Sequence, residues 1–257
     1  MLIRVLMPFT ALVVLSCGEV LTVSTDGATN DGPVAIDGSV AIDAVATDAA
    51  TATTCETASV GAPVVFVNRL AGTYTKASID SPMNNESTIP SNQTSALTAW
   101  DVPQSNFDAM QLCLAEVLAP FNVIVTDVEP NMEPYHEIVI TSSSSSEIGF
   151  PNTLSLGKLG CSEPANNAVS FVFAVNDNPL TVCQSAASMV GFSQGLSRVV
   201  ENCEDTMTFT YGCTLQVEFG NGSQTCGNSA PMPCSCTQQS TQNSFQQLLS
   251  TFGACPL

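Results

Sequence analysis

Positive charge is what this chain has least of. Five Lys and Arg stand against 23 Asp and Glu in 257 residues, a formal net charge of −18. A surface of that sign repels phosphate, so nucleic acid is excluded as a partner class. Histidine is nearly absent as well: His136 is the only one. Any triad that needs an imidazole base, or any zinc site built from imidazoles, has that one side chain to draw on. The apolar stretch from Val5 to Leu15 falls far short of the roughly 20 residues a helix needs to cross a bilayer. Aromatic residues make up 6% of the chain and none lies between Gly18 and Val60, so that part cannot build a core.

Residues 1–16, with Arg4 ahead of the apolar stretch, are read as a lipoprotein signal peptide. Val14-Leu15-Ser16-Cys17 resembles a lipobox, although Leu15 is bulkier than usual at its place. That implies lipid on Cys17, a membrane as partner through it, and a place in the cell envelope, at the outer membrane or cell surface. Residues 17–60 read as a disordered acidic tether of Ala, Thr, Val, Gly and Asp, with a loose repeat in Ala35-Ile36-Asp37 and Ala41-Ile42-Asp43. No basic residue lies between Arg4 and Arg69, so the segment repels itself and extends. Its carboxylates are too widely spaced for a calcium loop. Residues 61–257 are expected to form one domain.

Cysteine is plentiful, at 11. An odd count in an exported chain demands an explanation, and assigning Cys17 to lipid leaves ten for five disulfides in an oxidising compartment. Their pairing cannot be read from sequence. Cys226, Cys234 and Cys236 lack the paired C-x-x-C spacing of a zinc site.

Hydrophobic periodicity gives a strand, helix, three strands, helix order. Pro63 to Asn68 is a buried strand, and Phe107, Met110, Leu114, Val117 and Leu118 recur at helical spacing between a cap at Ser105 and a stop at Pro120. Phe121 to Thr126, Glu137 to Thr141 and Ala168 to Val175 read as strands; Pro179 to Gln194 returns to helical spacing. Ser142 to Ser146 reads as a solvated loop, and Phe245 to Phe252 as a closing helix.

Two chemistries compete for the end of the second helix. Gly191-Phe192-Ser193-Gln194-Gly195 has the G-x-S-x-G pattern of a serine esterase. An elbow needs a strand just before the serine and a histidine after it, whereas Ser185 to Ser188 are helix-compatible and His136 comes earlier in the chain. The other pattern is H-E-x-x-H-x-x-G-x-x-H, the zinc-binding helix of a metzincin, followed by a turn that holds a methionine. With Gly195 at the glycine, Ser188 and Phe192 fall at the helix ligands, Met189 at the glutamate and Arg198 at the third ligand. Glu204 to Thr208 then stands as the turn, with Met207 as its methionine.

Together with "VVFVNRLAGTYT" and "LAPFNVIVTDVEP", this helix and turn resemble secreted, cysteine-containing metzincin-like proteins of bacteria over most of residues 63–213. The resemblance implies an α+β fold: a metzincin-like mixed twisted sheet with two main helices and a disulfide-rich C-terminal part. It also implies a degenerate site. A catalytic zinc takes three imidazole, carboxylate or thiolate ligands and an open position for water. Ser188 is a poor ligand, Phe192 cannot coordinate, and a guanidinium repels a cation about 4 Å away by roughly 4 kcal/mol. Catalytic, cofactor and metal residues are therefore expected to be absent. The expected function is that of a binding or interaction module with a possible peptide or protein partner; the alternatives are an active zinc endopeptidase with a non-standard site and an esterase acting through Ser193. In a metal-free core, Met189 or Phe192 should pack toward the methionine turn, Arg198 should pair with Glu201, Glu204 or Asp205, and His136 should form an ion pair with Glu133 or Glu137.

Overall fold

The computed structural model describes residues 55, 58–161, 166–174, 178–200, 203, 205–208 and 217–256. The expected signal peptide, Cys17 and nearly all of the expected tether lie outside them. Along the chain come β1 (Val64–Asn68), β2 (Gly72–Lys76), β3 (Glu86–Ser87), β4 (Thr94–Leu97), α1 (Gln104–Leu118), β5 (Ile124–Thr126), β6 (His136–Thr141), β7 (Ser155–Leu156), β8 (Ala168–Phe173), α2 (Pro179–Ser193), β9 (Gln224–Thr225), β10 (Thr241–Gln242) and α3 (Ser244–Phe252). The fold is mixed α+β. Its main sheet has the order β5-β1-β6-β8-β7 and is parallel except for the antiparallel edge strand β7.

β6 and β8 are buried along their whole length. A parallel sheet covered on both faces has this near-continuous apolar signature. On one face Val65, Val67, Ile138, Ile140 and Val172 pack with α1 and α2. On the other, Val139, Val169, Phe171 and Phe173 pack with Tyr74, Leu97 and Ile148, beneath a small sheet of order β3-β2-β4. That second sheet was hidden in a stretch that reads as merely polar, because its strands are short and carry Thr and Ser rather than Val and Ile.

α1 buries Phe107, Met110, Leu114, Val117 and Leu118, the stripe its periodicity predicts. Its N-cap is Pro103 rather than Ser105, and no side chain caps it. α3 buries Leu248 and Phe252 and is capped by Asn243, whose side chain accepts from Gln246 N. The serine run is a solvated loop only in part: Ser142, Ser144 and Ser146 are exposed, but the serines between them are not. Ser145–Ile148 forms a 3-10 turn, Ser143 and Ser145 are buried, and their hydroxyls accept the backbone N–H groups of Thr98 and Thr153 at 2.8 and 3.1 Å. Buried hydroxyls here take donors that would otherwise be left orphaned.

Disulfides join Cys55 to Cys255, Cys113 to Cys183, Cys161 to Cys236 and Cys226 to Cys234, and Cys203 is also disulfide-bonded. Cys226, Cys234 and Cys236 are thereby committed to sulfur rather than to a metal. The first bridge ties the chain down six residues before the expected boundary at 61, and Ser59 adds two hydrogen bonds to Asn122. Among the described residues no helix is long and apolar enough to cross a membrane.

Candidate functional site

α2 opens with Pro179 behind Asn178, whose side chain accepts from Leu180 N. Proline at the first position is preset for a helix and has no N–H to lose. Val182, Cys183 and every residue from Ser185 to Gly191 are buried. A helix apolar on all sides belongs inside, and the small side chains of Ala186, Ala187 and Gly191 let neighbours come close. The Cys113–Cys183 bridge staples it to α1.

α2 ends at Ser193 with Gln194 as its C-cap, and Gly195 follows as the left-handed stop. Gly195 has φ +85°, its N–H donates to Phe192 O, and the N–H of Leu196 reaches Gly191 O, both at 3.0 Å. This pair of bonds is the Schellman stop, which needs a left-handed residue at this point. A Cβ there would also lie 2.8 Å from Gly160 O. Two independent demands thus specify glycine.

Met207 lies against the helix as anticipated, but the helix meets it with a glycine. A Cβ on Gly191 would sit 2.5 Å from Met207 Sδ. Met189 points elsewhere: it is buried, with its sulfur beside Gly157 and Ser170. Phe192 is partly buried against the core. Met189 belongs to the same core cluster as Met207 and Phe192 packs against it, so neither lies on the solvent side. Gly191 leaves room for the thioether, since a Cβ there would collide with it.

The turn is held by Asp205. Its Oδ1 accepts the N–H of Met207 at 2.9 Å, and its Oδ2 accepts the hydroxyl of Ser244 at 2.6 Å. Burial pushes its pKa up to about 6, against the opposing pull of those hydrogen bonds. Arg198 is half-buried with its guanidinium 4.8 Å over the Phe192 ring, and Asp205 Oδ1 and Oδ2 are engaged with the turn and α3. Glu201 and Glu204 lie outside the described residues. Gln242 closes the junction by accepting from Ser197 N and donating to Ser197 O, each at 2.8 Å. Its role was missed, and a lone glutamine before a helix carries no signal that could have revealed it.

Ser188 is buried and donates to Ser185 O at 2.9 Å. Ser193 is fully buried as the last residue of α2, donating to Val190 O at 2.8 Å and accepting from Gln194 Nε2 at 2.9 Å. No strand leads into it, so the sharp turn that exposes an esterase nucleophile is not made. His136 is 3% exposed, and its Nε2 lies 2.9 Å from Ser170 Oγ. Burial pushes its pKa down to about 3, so the ring is neutral. The expected ion pair does not form, because alternation along β6 sends His136 to the helix face and Glu137 to the other. Glu133 instead accepts from Ser81 Oγ, Met83 N and Asn167 Nδ2.

Glu137, expected as an ion-pair partner of His136, is instead a buried ionisable group on the opposite face of the sheet. It is 2% exposed, and its Oε1 accepts from Tyr74 OH and Asn68 Nδ2, both at 2.8 Å, while its Oε2 has no partner. Burial pushes its pKa up to about 7. The residues at the helix end do not fit a zinc ion, since a serine hydroxyl, an arene and a guanidinium supply no ligand set. Among the described residues no group of three or more His, Cys, Asp or Glu side chains could hold a metal. In comparison with known proteins, the chain matches no family model and no curated protein.

Proposed function

We propose that this chain is a catalytically inactive, metzincin-like module of the cell envelope, held by lipid on Cys17 and acting as a binding or interaction module. Support for the frame comes from the order of β1, α1, β5, β6, β8 and α2, from the stop at Gly195, and from Met207 lying against the helix. Support for the loss of chemistry comes from the side chains at the degenerate positions. The observation that carries the reading is Arg198 stacked 4.8 Å over Phe192, a cation on an arene where two zinc ligands would stand. Ser188, at the remaining ligand position, satisfies its hydroxyl within its own helix.

The test is zinc analysis of the purified full chain after incubation with excess zinc and desalting, together with casein cleavage in the presence and absence of chelator. The proposed function expects substoichiometric zinc and no chelator-sensitive cleavage. One zinc per chain with cleavage abolished by chelator would establish the competing endopeptidase.

A further inference from the structure

Beside the start of α2, a groove of about 350 Å³ opens between the C-terminal half of α1, Leu180 of α2, residues 217–219 and Phe245 of α3. Val117, Leu180, Phe219 and Phe245 supply its apolar wall, while Glu116 and Glu218 stand exposed at its rim. Leu180 is 45% exposed, a large apolar side chain left in water at a helix start. We propose that this groove docks a basic, apolar-flanked peptide segment of a separate partner protein.

The volume lies at the low end of the roughly 300–1,000 Å³ of pockets that bind specific ligands, enough for one or two side chains. Apolar walls reward burial of an aliphatic or aromatic side chain, and two rim carboxylates select a neighbouring Lys or Arg while steering its approach. Charge argues against self-association: with a net charge of −18 and five basic residues, a second copy brings repulsion, and residues 17–60 bring Asp and no Lys or Arg. None of Arg69, Lys76, Lys158 or Arg198 lines the groove. The inference rests on the reading of the chain as a binding module and not on the metzincin frame, so its failure leaves the zinc and casein results intact.

The test is fluorescence anisotropy with the full chain and a labelled peptide, Gly-Lys-Leu-Phe-Arg-Leu-Gly, against its counterpart Gly-Glu-Leu-Phe-Glu-Leu-Gly. Saturable binding of the basic peptide alone is expected, weakened about tenfold or more by Leu180→Asp and by Glu116→Lys with Glu218→Lys. An acid in the first turn suits the helix dipole, so Leu180→Asp retains the fold. Glu147→Lys, an exposed charge reversal elsewhere, should change affinity less than twofold. The inference is overturned by absent or equal binding of the two peptides, by indifference to Leu180→Asp, or by a loss in Glu147→Lys matching that of the rim pair, which would mean bulk charge alone.

Discussion

The end of α2 and the start of β6 are both buried and both polar, yet they are finished differently. At the end of α2, the hydroxyls of Ser188 and Ser193, the carboxylate of Asp205 and the amide of Gln242 all have protein partners. At the start of β6, His136 Nδ1 and Glu137 Oε2 are buried without one. The first region is knit together by these bonds, although Gln194 Oε1 at the helix cap is buried without a partner and Asp205 is a buried carboxyl with a raised pKa. The second adds a buried imidazole and a second buried carboxyl, so both regions respond to pH.

The largest effect should come from cutting the staple on α2. Replacing Cys113 and Cys183 with Ala together releases a cross-link between positions 70 residues apart, which should cost about 4 kcal/mol in urea unfolding. A loss below 1 kcal/mol would mean that the junction does not depend on α1. Gly195→Ala is next, at about 3 kcal/mol, because a left-handed backbone and a collision with Gly160 O act together. Tolerance of alanine there would break the claim that the helix must stop at this residue.

The β6 region should answer to pH. A folded pKa for Glu137 near 7, above its ordinary 4.5, gives a contribution fully present below pH 4.5 and lost as pH rises through 7. Asp205 behaves alike, losing its contribution as pH rises from 3.8 through about 6. His136 has the opposite sign: its contribution is present above pH 6.5 and lost as pH falls toward 3. Between pH 4.5 and 6 the two carboxyls outweigh the histidine, so wild-type stability should fall there as pH rises. Glu137→Gln removes one and should gain about 3 kcal/mol over wild type between pH 4.5 and 8, followed by thermal or urea unfolding at each pH. A parallel pair of curves would show that Glu137 titrates alike in the folded and unfolded states. Ser193→Ala should have the smallest effect, about 1 kcal/mol for the buried hydrogen bonds, and should leave p-nitrophenyl ester hydrolysis at its wild-type level. Loss of a measurable esterase rate would move Ser193 from structure to catalysis.

Sequence patterning revealed these regions unequally. The 3.6-residue stripes of α1 and α3 and the Val and Ile runs of β1, β6 and β8 were legible because burial writes them directly. The stop at Gly195 was legible because only glycine tolerates its backbone. β2 to β4 were not, since short strands of Thr and Ser look like loop, and neither was the serine turn, where buried hydroxyls serve backbone donors. In the site, position was readable but side-chain direction was not. Met189 and Gly191 are two residues apart on a helix, and which of them meets Met207 depends on an approach distance that no spacing encodes. Glu137 was assigned the wrong partner for a related reason: Asn68 and Tyr74 are 69 and 63 positions away and reach it only across the sheet.

The central proposal, that the end of α2 retains the frame of a zinc site without its ligands, is tested most directly by cobalt(II) uptake. Wild type should take up no tightly bound ion, whereas Ser188→His with Phe192→His and Arg198→His, checked for folding by circular dichroism, should bind one and show the intense visible bands of tetrahedral cobalt. Stoichiometric cobalt in the wild type, or a folded triple variant that remains colourless, would contradict it.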